Sequence, residues 1–185
     1  MRVDRAREAA LDALAACRRN GAWIDGALKQ VLKRDGLSGR DAAFASRIAY
    51  GVMQNRIYLD RCLARCLTQR PEKLEPLLLD ILRVGAYQIL FMDKVPVNAA
   101  VNEAVEMAKA HKLSRAAGLV NAVLRNVDRR KGEPLAFADE LEALSVQTSH
   151  PRALVERMVG LLGAEEAEAF LRADNEPVPT PIHTN

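Results

Sequence analysis

Residues 77–127 read LLLDILRVGAYQILFMDKVPVNAAVNEAVEMAKAHKLSRAAGLVNAVLRNV, and the spacing within them decides the fold. Apolar residues fall at Leu78, Ile81, Leu82, Gly85, Ile89 and Met92, then at Val97, Val101, Ala104, Val105 and Ala108. A third set follows at Ala116, Leu119, Val120, Val123, Leu124 and Val127. Steps of three and four residues are the period of a helix with one buried stripe, whereas a strand would alternate. Lys94-Val95-Pro96 separates the first helix from the second, because proline has no N–H to donate and pushes Val95 out of helical geometry. Asn98 is the expected N-cap of the second helix and Ser114 that of the third. Three helices joined by turns this short fold back on one another.

Toward the N-terminus the same period continues. A first helix is predicted from about residue 3 to 18, with Val3, Ala6, Ala10, Ala13, Leu14 and Cys17 as its stripe. Arg2 and Arg5 flank that stripe on one side, Arg7 and Arg18 on the other, where arginine stems can lie along apolar surface and present their heads to a partner. Asn20-Gly21 ends this helix. Trp23, the only tryptophan, begins a short helix through Lys33 and is read as a packing anchor. A long helix is predicted from about residue 40 to 68, carried by Phe44, Ile48, Val52, Leu59, Cys62, Leu63 and Cys66. Gly51 and Gly85 reduce helix propensity, so each is read as a close crossing of two helices. Cys62 and Cys66 share a face and would make half a metal site, but no nearby His or Cys completes one, so they read as small core thiols.

Toward the C-terminus the character changes. Residues 1–132 hold 24 Lys/Arg against 14 Asp/Glu, and residues 133–185 hold 3 against 10. The basic part suits a polyanion, or is simply a solvated basic face; the acidic part does not suit a polyanion. Gly132 and Pro134 support a boundary at the charge change, giving a first domain of residues 1–132 and a small acidic helical region of 133–176. Within the latter, helices are predicted at about 135–146, 153–162 and 164–173, with Pro151 at a first helical position and Gly163 between the last two. Residues 177–185 are Pro-rich and read as an extended tail leading onward, cut rather than finished.

With 185 residues, 49% of them apolar, the chain can bury one good core. Charges interrupt every apolar run, so no segment spans a bilayer, and the start MRVDRAREAA has no apolar core of a secretory signal. Three cysteines inside helical patterns suit a reducing cytoplasm. No Gly-x-Gly-x-x-Gly or phosphate-loop motif occurs, and no strand pattern could build a parallel sheet for a dinucleotide or adenosyl cofactor. None of His111, His150 and His183 sits in a nucleophile context, and Glu103 with Glu106 reads as a solvated or capping pair. Aromatics, at 4%, are too scarce for a base-stacking sheet. The residues indicate a chain that is not itself a catalyst.

The segments RAREAALDAL (5–14), RIYLDRCL (56–63), DILRVGAYQILF (80–91), VPVNAAVNEAVEMAK (95–109) and GLVNAVLRNV (118–127) resemble, in order, the NusB family of all-helical RNA-binding domains. The continuation, with Ser149-His150-Pro151, Leu154-Val155-Glu156-Arg157 and Asp174-Asn175-Glu176-Pro177, resembles the linker of the RsmB-type ribosomal RNA cytosine-C5 methyltransferases. There a NusB-like domain precedes an adenosylmethionine-binding catalytic domain. The family's Arg-Val-Asn at the junction stands here as His183-Thr184-Asn185, so only the asparagine fits. The Pro-Cys and Thr-Cys motifs of those enzymes have no match either, because Cys17, Cys62 and Cys66 follow Ala16, Arg61 and Arg65.

The resemblance implies an all-α fold, a NusB-like bundle of two packed three-helix groups followed by a small helical linker region. It implies a noncatalytic module, with a role in rRNA processing, that positions ribosomal RNA for a C-terminal methyltransferase domain absent from these residues. S-adenosylmethionine belongs to that domain, and no cofactor is expected here. By likeness to the basic N-terminal helix of NusB, Arg2, Arg5 and Arg7 are the first RNA-contact candidates. Arg40, Arg83 and Arg115 follow from their places near helix starts or on exposed faces. Asn102, Glu103 and Asn121 read as helix-to-helix hydrogen-bonding residues first. The competing readings are a free-standing transcription antitermination factor that binds RNA with a protein partner, and a helical interaction scaffold or homodimer.

Overall fold

Local signals start and stop the helices seen in the computed structural model, which describes residues 3–176. Arg2 and the proposed tail and junction residues at 177–185 lie outside the described residues. Asp4 starts α1 (Arg5–Asn20): its carboxylate accepts from the Arg7 N–H at 3.0 Å, and its own N–H donates to Glu103 Oε2 at 2.9 Å. Gly21 ends α1 in the left-handed conformation, φ 63°, donating its N–H to the Cys17 carbonyl. Then follow α2 (Ile24–Arg34), α3 (Gly39–Gln54), α4 (Arg56–Ala64), α5 (Pro76–Phe91), α6 (Val97–Ala110) and α7 (Ala117–Arg129). All the regular structure among the described residues is helical.

The chain divides into two compact units, Met1–Leu135 and Ala136–Asn185. In the first, α1, α2 and α3 pack as one group and α5, α6 and α7 as another, with α4 against α5 and α7. Ala6, Ala9, Ala10 and Ala13 line the buried face of α1, and their small side chains let neighbouring helices approach closely. The crossing glycines are where the spacing placed them. A Cβ on Gly51 would run into Tyr87, and one on Gly85 would lie 2.5 Å from Leu124 Cδ1.

Helix α5 is not the one-striped helix its spacing predicts. Leu79, Asp80, Val84, Ala86, Tyr87 and Gln88 are buried along with the stripe, so α5 is the central rod of the unit. Its two buried polar residues are paired: Arg18 Nε donates to Asp80 Oδ2 at 2.9 Å, and Arg7 Nε to Gln88 Oε1 at 2.7 Å.

Three other boundaries differ from expectation. The predicted helix over 40–68 breaks at Asn55, φ −101° and ψ 18°, and the second piece stops at Ala64. Both the Asn55 N–H and its Nδ2 donate to the Gly51 carbonyl, at 3.0 and 2.9 Å, an instance of an asparagine amide competing for helix backbone. Asn98 does not cap α6, which starts one residue earlier behind an extended Pro96; the Asn98 amide oxygen instead accepts from Arg125 at 3.4 Å. Ser114 does not cap α7, because Ser114–Ala116 winds into a short 3-10 turn and the helix proper starts at Ala117.

The second unit holds α8 (Glu140–Thr148), α9 (Arg152–Leu162) and α10 (Ala164–Asp174) around Val146, Val155, Ala167 and Leu171. Helix α8 starts five residues later than the apolar spacing suggests, because Asp139 caps it by accepting from the Glu142 N–H at 2.7 Å while Glu142 accepts from the Ala138 N–H. Pro151 is the N-cap of α9 rather than its first helical residue. Among the described residues no helix is long and apolar enough to cross a membrane, and no group of three or more His, Cys, Asp or Glu is placed to hold a metal ion.

Candidate nucleic-acid interface

The arginines chosen from the sequence part ways in the structure. Arg7 is buried: besides Gln88 it meets Asp4 at 3.3 Å, and its guanidinium lies 4.9 Å from the centre of the Phe44 ring. It is a core residue and not a surface contact, because the first turn of α1 points it at α3 and α5. Arg83 is also withdrawn from solvent. Its Nε and Nη2 donate to the two Asp60 oxygens at 2.7 and 2.8 Å, and its Nη1 to Asp80 at 3.1 Å. Burial pushes the Arg83 guanidinium pKa down, but Asp60 and Asp80 together hold it above its ordinary value. A phosphate would have to displace two carboxylates to reach it.

Arg5, Arg40 and Arg115 are exposed. Of these, Arg5 lines a concave surface, an open cleft of about 530 Å³ shared with Val3, Glu8, Arg34, Asp35 and Ala110. Its Nη2 donates to the Asp35 carbonyl. Arg34 continues from there into a second open groove of about 570 Å³ between α1 and α2. Asp12, Arg19 and Asn20 line that groove from α1, and Gly26, Gln30 and Arg34 from α2, with Trp23 at its end. The two clefts therefore run along one side of α1, from Arg5 past Arg34 to Arg19 and Trp23.

Arg34 is held in place. Nε and Nη2 donate to Asp35 at 2.7 and 2.9 Å, and Nη2 also to Asp12 at 2.5 Å. The hydrogen bonds to Asp35 and then Asp12 raise the guanidinium pKa, and Arg34 in turn lowers that of Asp35. Arg19 makes a long hydrogen bond, 3.3 Å, to the Ala15 carbonyl of its own helix.

Trp23 is not the packing anchor its apolar character suggests. Helix α2 starts after it, at Ile24, and buries Ala27, Leu28 and Val31, which leaves the indole off the buried stripe and 86% exposed. Arg19 and Arg34 escape a sequence reading that weighs only the first arginines of α1 against the buried stripe, and Trp23 escapes it by reading as core. The signal was available in α2, where Trp23, Gly26, Gln30 and Arg34 recur at helical steps on a face that lacks large aliphatic residues. Of the motif residues, Glu103 joins α6 to the start of α1 through the Asp4 N–H, whereas Asn121 and Asn102 are exposed, Asn121 accepting from Arg125 at 3.3 Å within its own helix.

Residues 4–129 match the NusB family. The chain is 34% identical over 187 aligned residues to the "Probable ribosomal RNA small subunit methyltransferase B" of Bacillus subtilis, an alignment that takes in 100% of this chain and 41% of that protein. It is 37% identical over 93 residues to the transcription antitermination protein NusB of Bacillus licheniformis, covering 49% of this chain and 72% of that one. The crystal structure of antitermination factors NusB and NusE in complex with dsRNA shares the fold, with a TM-score of 0.62 at 19% identity over 68% of this chain and 94% of that chain.

Proposed function

The chain belongs to the NusB family, and on that footing we propose that it is the noncatalytic, RNA-holding N-terminal part of a ribosomal RNA methyltransferase. One observation carries this reading. The family match stops at residue 129, whereas the methyltransferase B alignment takes in the whole chain. The acidic helices α8, α9 and α10 thus have their counterpart in the methyltransferase relative. A free-standing antitermination factor gives no account of them.

The chain spans 41% of that relative's length. On this reading methyl transfer, with S-adenosylmethionine as donor, belongs to the domain that fills the remainder, and a ribosomal RNA substrate implies a cytoplasmic protein. The role of the first unit is to hold RNA by its phosphates. Lysine and arginine contacts to phosphate supply affinity with little sequence reading, and each released counterion makes that affinity fall with salt. Exposed Arg5, at the open end of the α1 cleft, is the foremost contact, with Arg40 and Arg115 exposed elsewhere on the same unit. Fluorescence anisotropy with a small-subunit rRNA fragment tests the reading. Affinity is expected to fall about tenfold or more between roughly 50 and 200 mM salt. Absence of binding at low salt, or an affinity that salt does not change, overturns it.

A further inference from the structure

Two residues in the α1–α2 groove are not explained by the stability of the fold. Trp23 is the most exposed of the large apolar side chains among the described residues. It occupies the N-cap of α2 without accepting a backbone N–H, at a position where Ser, Thr, Asp or Asn would satisfy one. The indole therefore contributes neither burial nor a cap. Gly26, three residues on, lies within α2, where glycine is less favourable than alanine. A Cβ there would meet nothing within 4 Å, so no neighbouring helix requires the glycine. Both residues line the same groove, with Asn20 and Arg19 facing them from α1 and Gln30 and Arg34 further along α2.

We propose that this groove is a stacking site for a base of single-stranded RNA. The base lies on the Trp23 indole, over the floor that Gly26 leaves open. The amides of Asn20 and Gln30 line the groove where the base edge would lie, and Arg19 takes a flanking phosphate. Arg34, already bound by Asp12 and Asp35, orders the far wall. The proposal rests on the RNA-holding reading and adds to it that the strand at this point is unpaired. Every base has a π-face, so stacking on an aromatic is tolerant of sequence, whereas bases inside an A-form duplex are already stacked and covered. The surroundings favour a base over a protein partner. A protein interface gathers several large apolar residues at its centre, but here the indole is the one large apolar side chain of a lining otherwise made of alanines, Val31, Gly26, Arg19, Arg34, Asn20, Gln30 and the Arg34-paired Asp12.

The chain has a single tryptophan, so its intrinsic emission reports on Trp23 alone. The full chain is titrated at low salt with a short single-stranded oligoadenylate and, separately, with an RNA duplex of equal length, following both emission and anisotropy. Oligoadenylate is expected to quench the emission by more than about half, with the midpoint of the anisotropy curve, while the duplex quenches little. Trp23→Ala is expected to weaken oligoadenylate binding about tenfold, and Trp23→Phe, which keeps a π-face, to retain most of the affinity. Circular dichroism melting checks that both variants are folded. Oligoadenylate binding with unchanged emission overturns the stacking site and leaves RNA holding in place. Failure of both RNAs to bind overturns the RNA-holding reading, and the stacking site with it.

Discussion

Tyr87 of α5 covers Gly51 of α3 so closely that a Cβ on Gly51 would collide with Tyr87 Cζ and with its hydroxyl oxygen. The ring cannot simply swing aside. It is stacked on Phe91, centroids 5.3 Å apart, and Phe91 meets Tyr58 of α4 edge-on at 5.7 Å. Gly51→Ala is therefore expected to destabilise the first unit by about 3 kcal/mol, at the upper end for overpacking. Urea unfolding reads this directly, and a midpoint equal to that of the parent chain would show that the crossing is loose. Gly51→Ala with Tyr87→Leu should lose less than the two single changes summed, because they share one contact.

Arg83 predicts a loss of stability without a loss of RNA affinity. Arg18, Asp80, Arg83 and Asp60 form a chain of ion pairs that ties α1 to α5 and α5 to α4. The Asp80 side chain is 5% exposed. Arg83→Met would leave Asp60 without this partner and Asp80 with Arg18 alone, a loss of about 3 kcal/mol for a broken buried pair. Thermal unfolding should show the drop, while anisotropy with the rRNA fragment below the melting range should show affinity within about twofold. A large affinity loss with unchanged melting would return Arg83 to the RNA contacts.

The helical spacing and the two crossing glycines were legible because they are local: a stripe and a break in propensity can be read within one turn or two. What was not legible depends on residues distant in sequence. Arg7 and Gln88 are 81 positions apart, and Arg18 and Asp80 are 62 apart, so nothing near Arg7 or Asp80 announces that either is buried. The break at Asn55 was hidden for another reason. The apolar period stays in step on both sides of it, and a side-chain amide taking one backbone carbonyl leaves no trace in the spacing. Trp23 reads as core from the sequence because a large apolar residue is ordinarily a core residue. Its place just outside the α2 helix overrides that tendency.

Cys62 and Cys66 should be slow to alkylate. Burial is the main influence on each thiol and raises its pKa above the ordinary 9.0, although Tyr58 and Arg65 act in the opposite direction on Cys62, and Arg130 and Arg65 on Cys66. The thiolate is the reactive form, so at neutral to mildly basic pH the native thiols react more slowly than the same thiols in urea. The sign for stability follows. A group whose folded pKa is raised stabilises the fold below its unfolded pKa, and that stabilisation is lost as pH rises through the folded one. Stability should therefore decline as pH climbs past 9.0. Mass spectrometry of iodoacetamide-treated protein checks the rates, and equal rates in native and unfolded protein would contradict the partial burial of both thiols.

Arg5 and Arg7, two residues apart on α1, should fail in different ways. Arg5 is exposed at the cleft, where it donates to the Asp35 carbonyl and its charge helps lower the Asp35 pKa, both at the protein surface. Arg5→Ala is expected to weaken RNA binding by about fivefold and to reduce the salt slope by about one, with melting unchanged. Arg7→Ala would strip the fully buried Gln88 oxygen of its donor and remove the cation from the Phe44 ring. An unsatisfied buried amide and a lost cation–π contact together imply a loss of about 2–3 kcal/mol, read as a lower urea midpoint. The pair tests the placement of α1 itself. If Arg7→Ala left stability intact and weakened RNA binding, α1 would have to be rotated so that Arg7 faced solvent, and the assignment of the cleft to the Arg5 side would fall.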